Sequence, residues 1–430
     1  MIQKEKRQSI IDLIHREVVP AVGCTEPAAV SLCVAKATEL LGCTPSEIRV
    51  RLSTNILKNA MGVGIPGTGM IGLPIAIALG ALIGKSEYGL EVLKDVDDEA
   101  VARGKEYIAS HPIDIKLFEN APSNLHIDVE VAHDTDRVRA TISREHTNFI
   151  YLEKNRSVIF NEEPQSSVAD TPVDTTADVQ LDLHTVWEFA TETPLEEIDF
   201  ILQARALNSA AADLALNQPY GHSLGSTMRN CGKPLFGDTP LAHMISLTSA
   251  ACDARMGGAP VPVMSNSGSG NQGICATMPV VSYATDIEAS DEQLTRALIL
   301  SHLTSIYIKQ SLGRLSALCG CVVASTGAAS GLVYLMGGGY EQVVAAVKNM
   351  VANLTGMICD GAKPSCAMKI SSGVSTAMMS AMMAMNGHCV SAAEGIIDED
   401  VDRTIRNLTS IGRDAMRATD LYVLDIMTCK

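Results

Sequence analysis

The sequence predicts an α+β protein that is mainly α, with a large all-helical C-terminal region and a small antiparallel-sheet domain in the N-terminal half. Three observations lead to this prediction. The chain has 430 residues, of which 47% are hydrophobic, so it can form two or three domains around sizeable cores. Alternating, strand-like patterns are confined to the N-terminal half. Helical periodicity continues almost without a break from about residue 184 to the end.

The first predicted unit, residues 1–45, is a helical segment that carries Cys24. Apolar residues recur on one helical face between residues 4 and 19, and a proline ends that pattern. A second helix is predicted from about residue 27 to residue 41, where Gly42 provides a C-terminal cap.

The second predicted unit, residues 46–165, is the small sheet domain. An alternating run near residue 50 is followed by an apolar segment rich in glycine and proline, and then by a charged helix near residues 91–109. Four further alternating regions follow, and their pattern predicts an antiparallel sheet with one solvated face. These regions are 113–118, 125–132, 137–143, and 149–151 together with 158–160.

The third predicted unit, residues 166–183, is acidic and rich in serine, threonine and proline, which indicates a linker. Residues 184–430 are predicted to form an all-helical iron–sulfur catalytic domain. Two of its stretches, 315–340 and 370–393, contain no Asp, Glu, Lys or Arg and are long enough to cross a bilayer. They lack basic flanks and aromatic belts and are rich in small residues, so buried helices are the better prediction.

The charge and the cysteine content exclude some functions and favour others. A net charge of −16 argues against nucleic acid and anionic membrane surfaces as partners. The N-terminus leads into an amphipathic helix and not into the apolar core of a signal peptide, so we expect a cytoplasmic protein. In a reducing compartment, the twelve cysteines would serve as core residues, metal ligands or catalytic groups and not as disulfides.

Cys359 and Cys366 are the best candidates for metal ligands. The pattern predicts a helix that is capped by Gly356, and Pro364 suits the start of the next helix, so both thiols would project from a short loop. Cys275 follows a second loop, rich in glycine, serine and asparagine. Three thiolates from two loops suit an iron–sulfur cluster better than structural zinc. Any single cysteine, however, is more often a core residue than a ligand.

Cys24 is the candidate for a catalytic thiol. It precedes Thr25, Glu26 and Pro27, which suit the cap and the first turn of a helix. At a helix N-terminus the dipole favours the thiolate, so we expect a lowered pKa and a role as general base. A buried small residue between two helices is an equally good interpretation of this motif alone.

Taken together, four segments resemble the L-cysteine desulfidase family, which is related to the alpha domain of iron–sulfur L-serine dehydratases. They are the Gly-Cys-Thr-Glu-Pro motif at residues 23–27, the glycine-rich segment after Asn59, the loop ending at Cys275, and the corner from Cys359 to Cys366. The resemblance spans nearly the whole chain. The match to the serine dehydratases is partial, because their longer spacing between the last two cluster cysteines is not kept and no separate beta-type domain is found.

This resemblance implies a [4Fe–4S] cluster on Cys275, Cys359 and Cys366, with Cys24 as the proton acceptor. The implied reaction converts L-cysteine to pyruvate, ammonia and hydrogen sulfide. The expected partner is therefore a small amino-acid substrate, with no nucleic acid and no membrane, and a homodimer is left open. Two alternatives remain: an iron–sulfur L-serine dehydratase, and a non-catalytic protein that binds a structural metal.

Several other residues are weaker candidates. Cys319 and Cys321 form a Cys-Gly-Cys motif, but on a helix their side chains would point about 160° apart. They are therefore predicted to be core residues or surroundings of the cluster. The substrate carboxylate needs a cation, and the sequence does not choose among four candidates: Lys58, Arg255, Arg314 and Lys363.

Overall fold

The computed structural model describes residues 2–162, 179–313 and 315–429. Residues 166–178 of the predicted linker, and Arg314, lie outside the described residues. The elements up to residue 162 are α1 (Lys4–Glu17), β1 (Pro20–Val22), α2 (Thr25–Leu41), β2 (Glu47–Leu52), α3 (Thr54–Ala60), β3 (Gly64–Ile65), β4 (Met70–Ile71), α4 (Leu73–Leu82), α5 (Asp98–Ser110), β5 (Ile113–Leu117), β6 (His126–His133), β7 (Asp136–Ser143), β8 (Phe149–Lys154) and β9 (Ser157–Asn161).

The elements from residue 179 onward are almost all helices, which confirms the predicted α+β, mainly α class. They are α6 (Leu183–Glu192), α7 (Leu202–Asn217), α8 (Leu224–Cys231), α9 (Lys233–Phe236), α10 (Pro240–Met256), β10 (Pro262–Met264), α11 (Gly270–Asp286), α12 (Asp291–Leu312), α13 (Gly320–Leu335), α14 (Tyr340–Leu354), α15 (Cys366–Met385), α16 (Val401–Ser410) and α17 (Arg417–Thr428).

A six-stranded sheet with the order β5-β2-β6-β7-β8-β9 forms in the N-terminal half, where the sequence predicts it. Neighbouring strands are antiparallel except β2 and β5, which run parallel. This one departure from the predicted pattern arises because α3, α4 and α5 lie between β2 and β5 and provide the crossover that a parallel pair needs. Helix α2 packs on β6 and β7, and Ile48, Val50 and Leu52 are fully buried in the core that includes it.

The helical region is built around α10, α11, α13 and α15, which pack against one another. Small residues make this close packing possible. At Gly327 of α13, an added Cβ would lie 2.2 Å from the carbonyl oxygen of Ser301 in α12, so the site has no space for a side chain. The uncharged stretches 315–340 and 370–393 supply α13 and most of α15. Among the described residues, none of the helices combines the length and the apolar character needed to cross a membrane.

Residues 20–27 connect the two parts of the molecule. Helix α1 packs in the core of the helical region, whereas α2 packs in the core of the sheet. Between them, β1 pairs antiparallel with β10, with Ala21 opposite Val263. The predicted segment 1–45 therefore contributes to both cores, and Cys24 lies at the point where the chain passes from one core to the other.

Candidate active site

A cavity lies between the sheet domain and the helical region, and five cysteines line it. Its wall includes the N-terminal ends of α2, α11 and α13, one side of α10, and the loop between α14 and α15. The cysteines are Cys24, Cys319, Cys321, Cys359 and Cys366. Charged and polar side chains share the wall: Glu26, Asn59, Arg255, Asn271, Gln272 and Lys369.

A short antiparallel bridge brings Cys319 and Cys359 together. Leu318 pairs with Ile358, the Cys319 N–H donates to the carbonyl oxygen of Met357 at 3.0 Å, and the Cys359 N–H donates to that of Ala317 at 2.7 Å. In this register, Cys319 and Cys359 are diagonal neighbours on one face of the bridge. Residues in this relation lie about 7–8 Å apart, measured between their backbones. The bridge therefore directs two thiols from distant parts of the sequence towards one side.

Cys366 is the first residue of α15, in the first turn of the helix as the loop pattern predicts. The loop before it is held by Asp360, whose carboxylate accepts hydrogen bonds from Lys363 and Lys369. Burial alone would raise the pKa of Asp360, but the two lysines lower it to about 2. The Lys369 ammonium also donates to the carbonyl oxygen of Ile358 at 2.8 Å, so it fixes both ends of the loop.

Lys58 attaches this loop to the rest of the molecule. Its side chain is completely buried, pairs with Asp420 of α17 and donates to the carbonyl oxygen of Cys359 at 3.2 Å. Gly361 has a φ of +92°, and a Cβ there would lie 2.3 Å from the carbonyl oxygen of Lys58. The cysteine loop, α3 and α17 are therefore joined by one buried cation and one close backbone contact.

Cys24 lies at the N-terminus of α2, as predicted, but it is itself the N-cap residue, a position for which the sequence favours Thr25 or Glu26. Its thiol donates a hydrogen bond to Oε2 of Glu26 at 2.8 Å, and both side chains are buried. Burial, and then the negative charge of Glu26, raise the pKa of Cys24 well above its ordinary value. The prediction of a lowered pKa is therefore wrong, because desolvation and the neighbouring carboxylate outweigh the helix dipole.

Glu26 is the acidic group of the cavity, and sequence reasoning gives it only a capping role. Burial alone would raise its pKa, but the charge of His146, the Cys24 thiol and the Arg255 guanidinium lower it below the ordinary value. Its second carboxylate oxygen accepts from Nδ2 of Asn59 at 3.0 Å. Glu26 is thus an ionised carboxylate in direct contact with the candidate catalytic thiol.

Cys275, the third predicted ligand, lies inside α11, is fully buried and does not itself line the cavity. Interaction with the Cys275 side chain raises the pKa of the Cys321 thiol, and burial raises that pKa further. Cys275 therefore contacts a residue that lines the cavity but does not line the cavity itself. Its role as a ligand stays a prediction.

Cys319 and Cys321, which the sequence predicts to be core residues or surroundings of the cluster, both line the cavity. The prediction that both are helical is wrong, because α13 begins at Gly320 and Cys319 is an N-cap residue with extended backbone, at φ −63° and ψ 130°. Burial, Cys321 and Cys359 raise the pKa of the Cys319 thiol. No local signal in the sequence predicts this helix start, because glycine is not a preferred first residue of a helix.

The donor set fits an iron–sulfur cluster. All twelve cysteines are free, and five of them surround one cavity. Buried thiols with raised pKa values ionise when a soft metal ion stabilises the thiolate. Within the described ranges, no group of three or more His, Cys, Asp or Glu side chains is gathered closely enough to hold a single metal ion. An iron–sulfur cluster differs from a single ion in that each of its thiolates binds a different iron atom.

Comparison with known protein families identifies the family to which this chain belongs. Residues 87–425 match the serine dehydratase alpha chain family. This segment contains four of the five cavity cysteines and Cys275, but not Cys24. The chain belongs to the serine dehydratase alpha chain family, which confirms the predicted relation to the alpha domain of serine dehydratases.

Three relatives match the chain over nearly its whole length, and each is named UPF0597 protein. The protein from Phocaeicola vulgatus is 61% identical over 432 residues, covering 100% of this chain and 99% of the relative. The one from Bacteroides thetaiotaomicron is 58% identical over 431 residues, with coverage of 100% and 99%. The one from Oleidesulfovibrio alaskensis is 48% identical over 421 residues, with coverage of 98% and 97%. These names state no activity.

Proposed function

We propose that the protein is an iron–sulfur-dependent β-eliminating lyase that converts L-cysteine to pyruvate, ammonia and hydrogen sulfide. One observation carries this proposal: in a member of the serine dehydratase alpha chain family, a single cavity is lined by Cys24 and by four further thiols. The family name supports a lyase. The choice of L-cysteine rests on the resemblance to the L-cysteine desulfidases.

The residues that would hold a [4Fe–4S] cluster are Cys359 and Cys366, together with a third thiol. Cys319 is favoured as the third ligand, because it lines the cavity and is joined to Cys359 by the backbone bridge. Cys275, which the sequence predicts, is the alternative. When bound by three thiolates, such a cluster supplies an open iron that acts as a Lewis acid towards the leaving group.

The chain's own groups would perform the proton transfers. The Cys24 thiol gives its proton to Glu26 and, as a thiolate, then removes the Cα proton of the substrate. The electron pair of the Cα–H bond forms the Cα–Cβ double bond, and the Cβ–S bond breaks to release hydrosulfide. The resulting aminoacrylate takes up a proton at Cβ to become an imine, and water hydrolyses this imine to pyruvate and ammonia.

An iron–sulfur L-serine dehydratase is the second candidate, and the family name favours it. The two candidates differ only in the leaving group. A soft thiolate suits an iron with sulfur ligands better than a hydroxyl does, and it needs less assistance from an acid. The proposal keeps the cytoplasmic location and the amino-acid substrate that the sequence predicts.

A product assay tests the proposal. The protein is purified without oxygen, loaded with iron and sulfide, and supplied with L-cysteine or L-serine without added pyridoxal phosphate. We expect equal amounts of sulfide and pyruvate from L-cysteine, and a higher kcat/KM for L-cysteine than for L-serine. Efficient pyruvate formation from L-serine with little sulfide from L-cysteine would support the dehydratase. Activity that survives iron chelation and is lost with a carbonyl reagent would contradict both.

A further inference from the structure

The cavity contains a buried guanidinium, that of Arg255, which forms no ion pair with an acidic side chain in the described part of the chain. Arg255 is 3% exposed. Its Nε donates to the carbonyl oxygen of Gly23 at 3.1 Å, and its Nη1 donates to Oδ1 of Asn271 at 3.0 Å. These two bonds fix the plane of the guanidinium and leave further N–H groups available, because arginine has five donors. A buried cation of this kind favours an anionic ligand.

The other candidate cations have partners elsewhere. Lys58 pairs with Asp420, and Lys363 pairs with Asp360 at 2.7 Å. Neither of these lysines lines the cavity, and Arg314 lies outside the described residues. Of the four cations that the sequence offers for a substrate carboxylate, Arg255 is therefore the one with both the position and the donors.

Two buried acceptor oxygens without a hydrogen-bond partner belong to residues that line the same cavity. They are Oδ1 of Asn59 and Oε1 of Gln272, whose side chains are 9% and 3% exposed. Hydrogen bonds from the two NH2 groups fix the orientation of each side-chain amide. Nδ2 of Asn59 donates to the Glu26 carboxylate at 3.0 Å, and Nε2 of Gln272 donates to the carbonyl oxygen of Asn266 at 3.3 Å, so neither amide can be flipped without losing a bond.

We propose that this wall binds the head group of a free α-amino acid: Arg255 binds the α-carboxylate, and the amide oxygens of Asn59 and Gln272 accept hydrogen bonds from the α-ammonium. An unpaired buried acceptor is costly, and an ammonium group supplies the three donors that such acceptors lack. The inference rests on the proposed function for its choice of an amino acid. What is new is the set of residues that recognise the substrate, together with the requirement that neither the α-carboxylate nor the α-ammonium of the ligand be blocked.

The test measures the binding of unreactive ligands and not turnover. L-Alanine carries both charged groups and has no leaving group. L-Alaninamide lacks the carboxylate, and propionate lacks the ammonium. Titration calorimetry on the iron-loaded protein is expected to show L-alanine binding at least roughly tenfold more tightly than either analogue, because each analogue leaves a buried polar group unpaired.

Three variants assign the two contacts. Arg255→Lys keeps the charge but loses the planar fork, so the preference for L-alanine over L-alaninamide is expected to fall roughly tenfold. Gln272→Leu removes an acceptor, so the preference for L-alanine over propionate is expected to fall by a similar factor. Arg205→Gln is the matched control, because Arg205 is an exposed guanidinium that pairs with Asp291 at 3.2 Å, and it is expected to change neither preference.

The pattern of preferences separates recognition from a merely structural role. Arg255 also bonds to Gly23, so a structural effect would weaken all three ligands equally. Equal weakening, or equal affinity of the unchanged protein for L-alanine, L-alaninamide and propionate, would overturn the inference. Binding of L-alanine with the expected pattern in a protein that releases neither sulfide nor pyruvate would support the head-group site and contradict the proposed reaction.

Discussion

At the scale of single residues, the pair formed by Cys24 and Glu26 decides how a proton can be removed from the substrate. The thiol is a poor base as it stands, because burial and the adjacent carboxylate raise its pKa. Glu26 is ionised and accepts the thiol's hydrogen bond at 2.8 Å. Transfer of the thiol proton to Glu26 is unfavourable in the empty site, because the pKa of Cys24 is raised and that of Glu26 is lowered, so the thiolate forms only as a short-lived species. Glu26 then acts on the substrate through Cys24.

Replacing Glu26 by glutamine is expected to lower kcat/KM at neutral pH by roughly a hundredfold or more, because an amide cannot accept the thiol proton. In the unchanged protein, the lowered pKa of Glu26 sets the acidic limb of the pH profile, so activity is lost only as the pH falls through that low value. In Glu26→Gln, this limb is expected to move to higher pH, where the thiol ionises by itself. A pH profile of kcat/KM measures this shift. Glu26→Asp is the control that retains a carboxylate, and an unmoved limb in Glu26→Gln would contradict the assignment.

The identity of the third cluster ligand is also a question about single residues. Cys319→Ser is expected to lose most of the iron, because serine replaces a soft thiolate at the cavity wall with a hard hydroxyl. Cys275→Ser is expected to retain iron, because Cys275 does not line the cavity. Iron and acid-labile sulfide per chain, measured after the same reconstitution, check both. The opposite result would assign the ligand to Cys275, as the sequence predicts.

Local signals explain which of these residues can be predicted from the sequence. Cys24, Cys359 and Cys366 lie beside helix ends marked by glycine or proline, and those signals act within a few residues. Cys319 is brought to the cavity by a pairing of Leu318 with Ile358, a contact between distant parts of the chain that no local pattern reports. The raised pKa of Cys24 depends in the same way on burial by distant elements.

At the scale of secondary-structure elements, Lys58 of α3 joins the cysteine loop to α17. It is completely buried, and its partners are the Asp420 carboxylate and the carbonyl oxygen of Cys359. A buried ion pair adds little net stability compared with apolar side chains of the same volume. Removing one partner is costly, however, because the other charge then stays buried without compensation.

Lys58→Met is therefore expected to lower the free energy of unfolding by about 3–5 kcal/mol, which urea denaturation measures. The double variant Lys58→Met with Asp420→Leu is expected to recover most of this loss, because no uncompensated charge remains. It would still lack the bond to the Cys359 carbonyl, so we expect its iron content to stay reduced. Equal stability of the single and double variants would contradict the role assigned to this ion pair.

The elements themselves follow from the sequence more closely than their arrangement does. Gly42 caps α2 with a left-handed conformation, as predicted, and α15 begins at Cys366, two residues after the predicted start at Pro364. The parallel pairing of β2 with β5 is missed, because strand direction depends on the crossover helices and not on the alternation within each strand. Helices α1 and α2 are close in sequence, but they pack in two different cores, which the pattern within each helix does not predict.

At the scale of the whole molecule, the cavity depends on both parts of the fold. The start of α2 supplies Cys24 and Glu26 and α3 supplies Asn59, whereas the helical region supplies the other thiols and Arg255. Lys58 and the antiparallel β1–β10 pair connect the two parts of the fold next to the cavity. We therefore expect different tasks for the two parts: the helical region would hold the cluster, and the start of α2 would hold the proton acceptor.

The most direct test of this division is to measure iron content and turnover together in Cys24→Ala. Cys33→Ala is the matched control, because Cys33 is also buried on α2 but donates to the carbonyl oxygen of Ala140, away from the cavity. We predict that Cys24→Ala retains its iron and loses roughly a hundredfold to ten-thousandfold in turnover of L-cysteine, the range for loss of a proton-transfer group, while Cys33→Ala retains both. Loss of iron together with activity in Cys24→Ala would make Cys24 a cluster ligand, and undiminished turnover would remove it from the active site; either result would contradict the account.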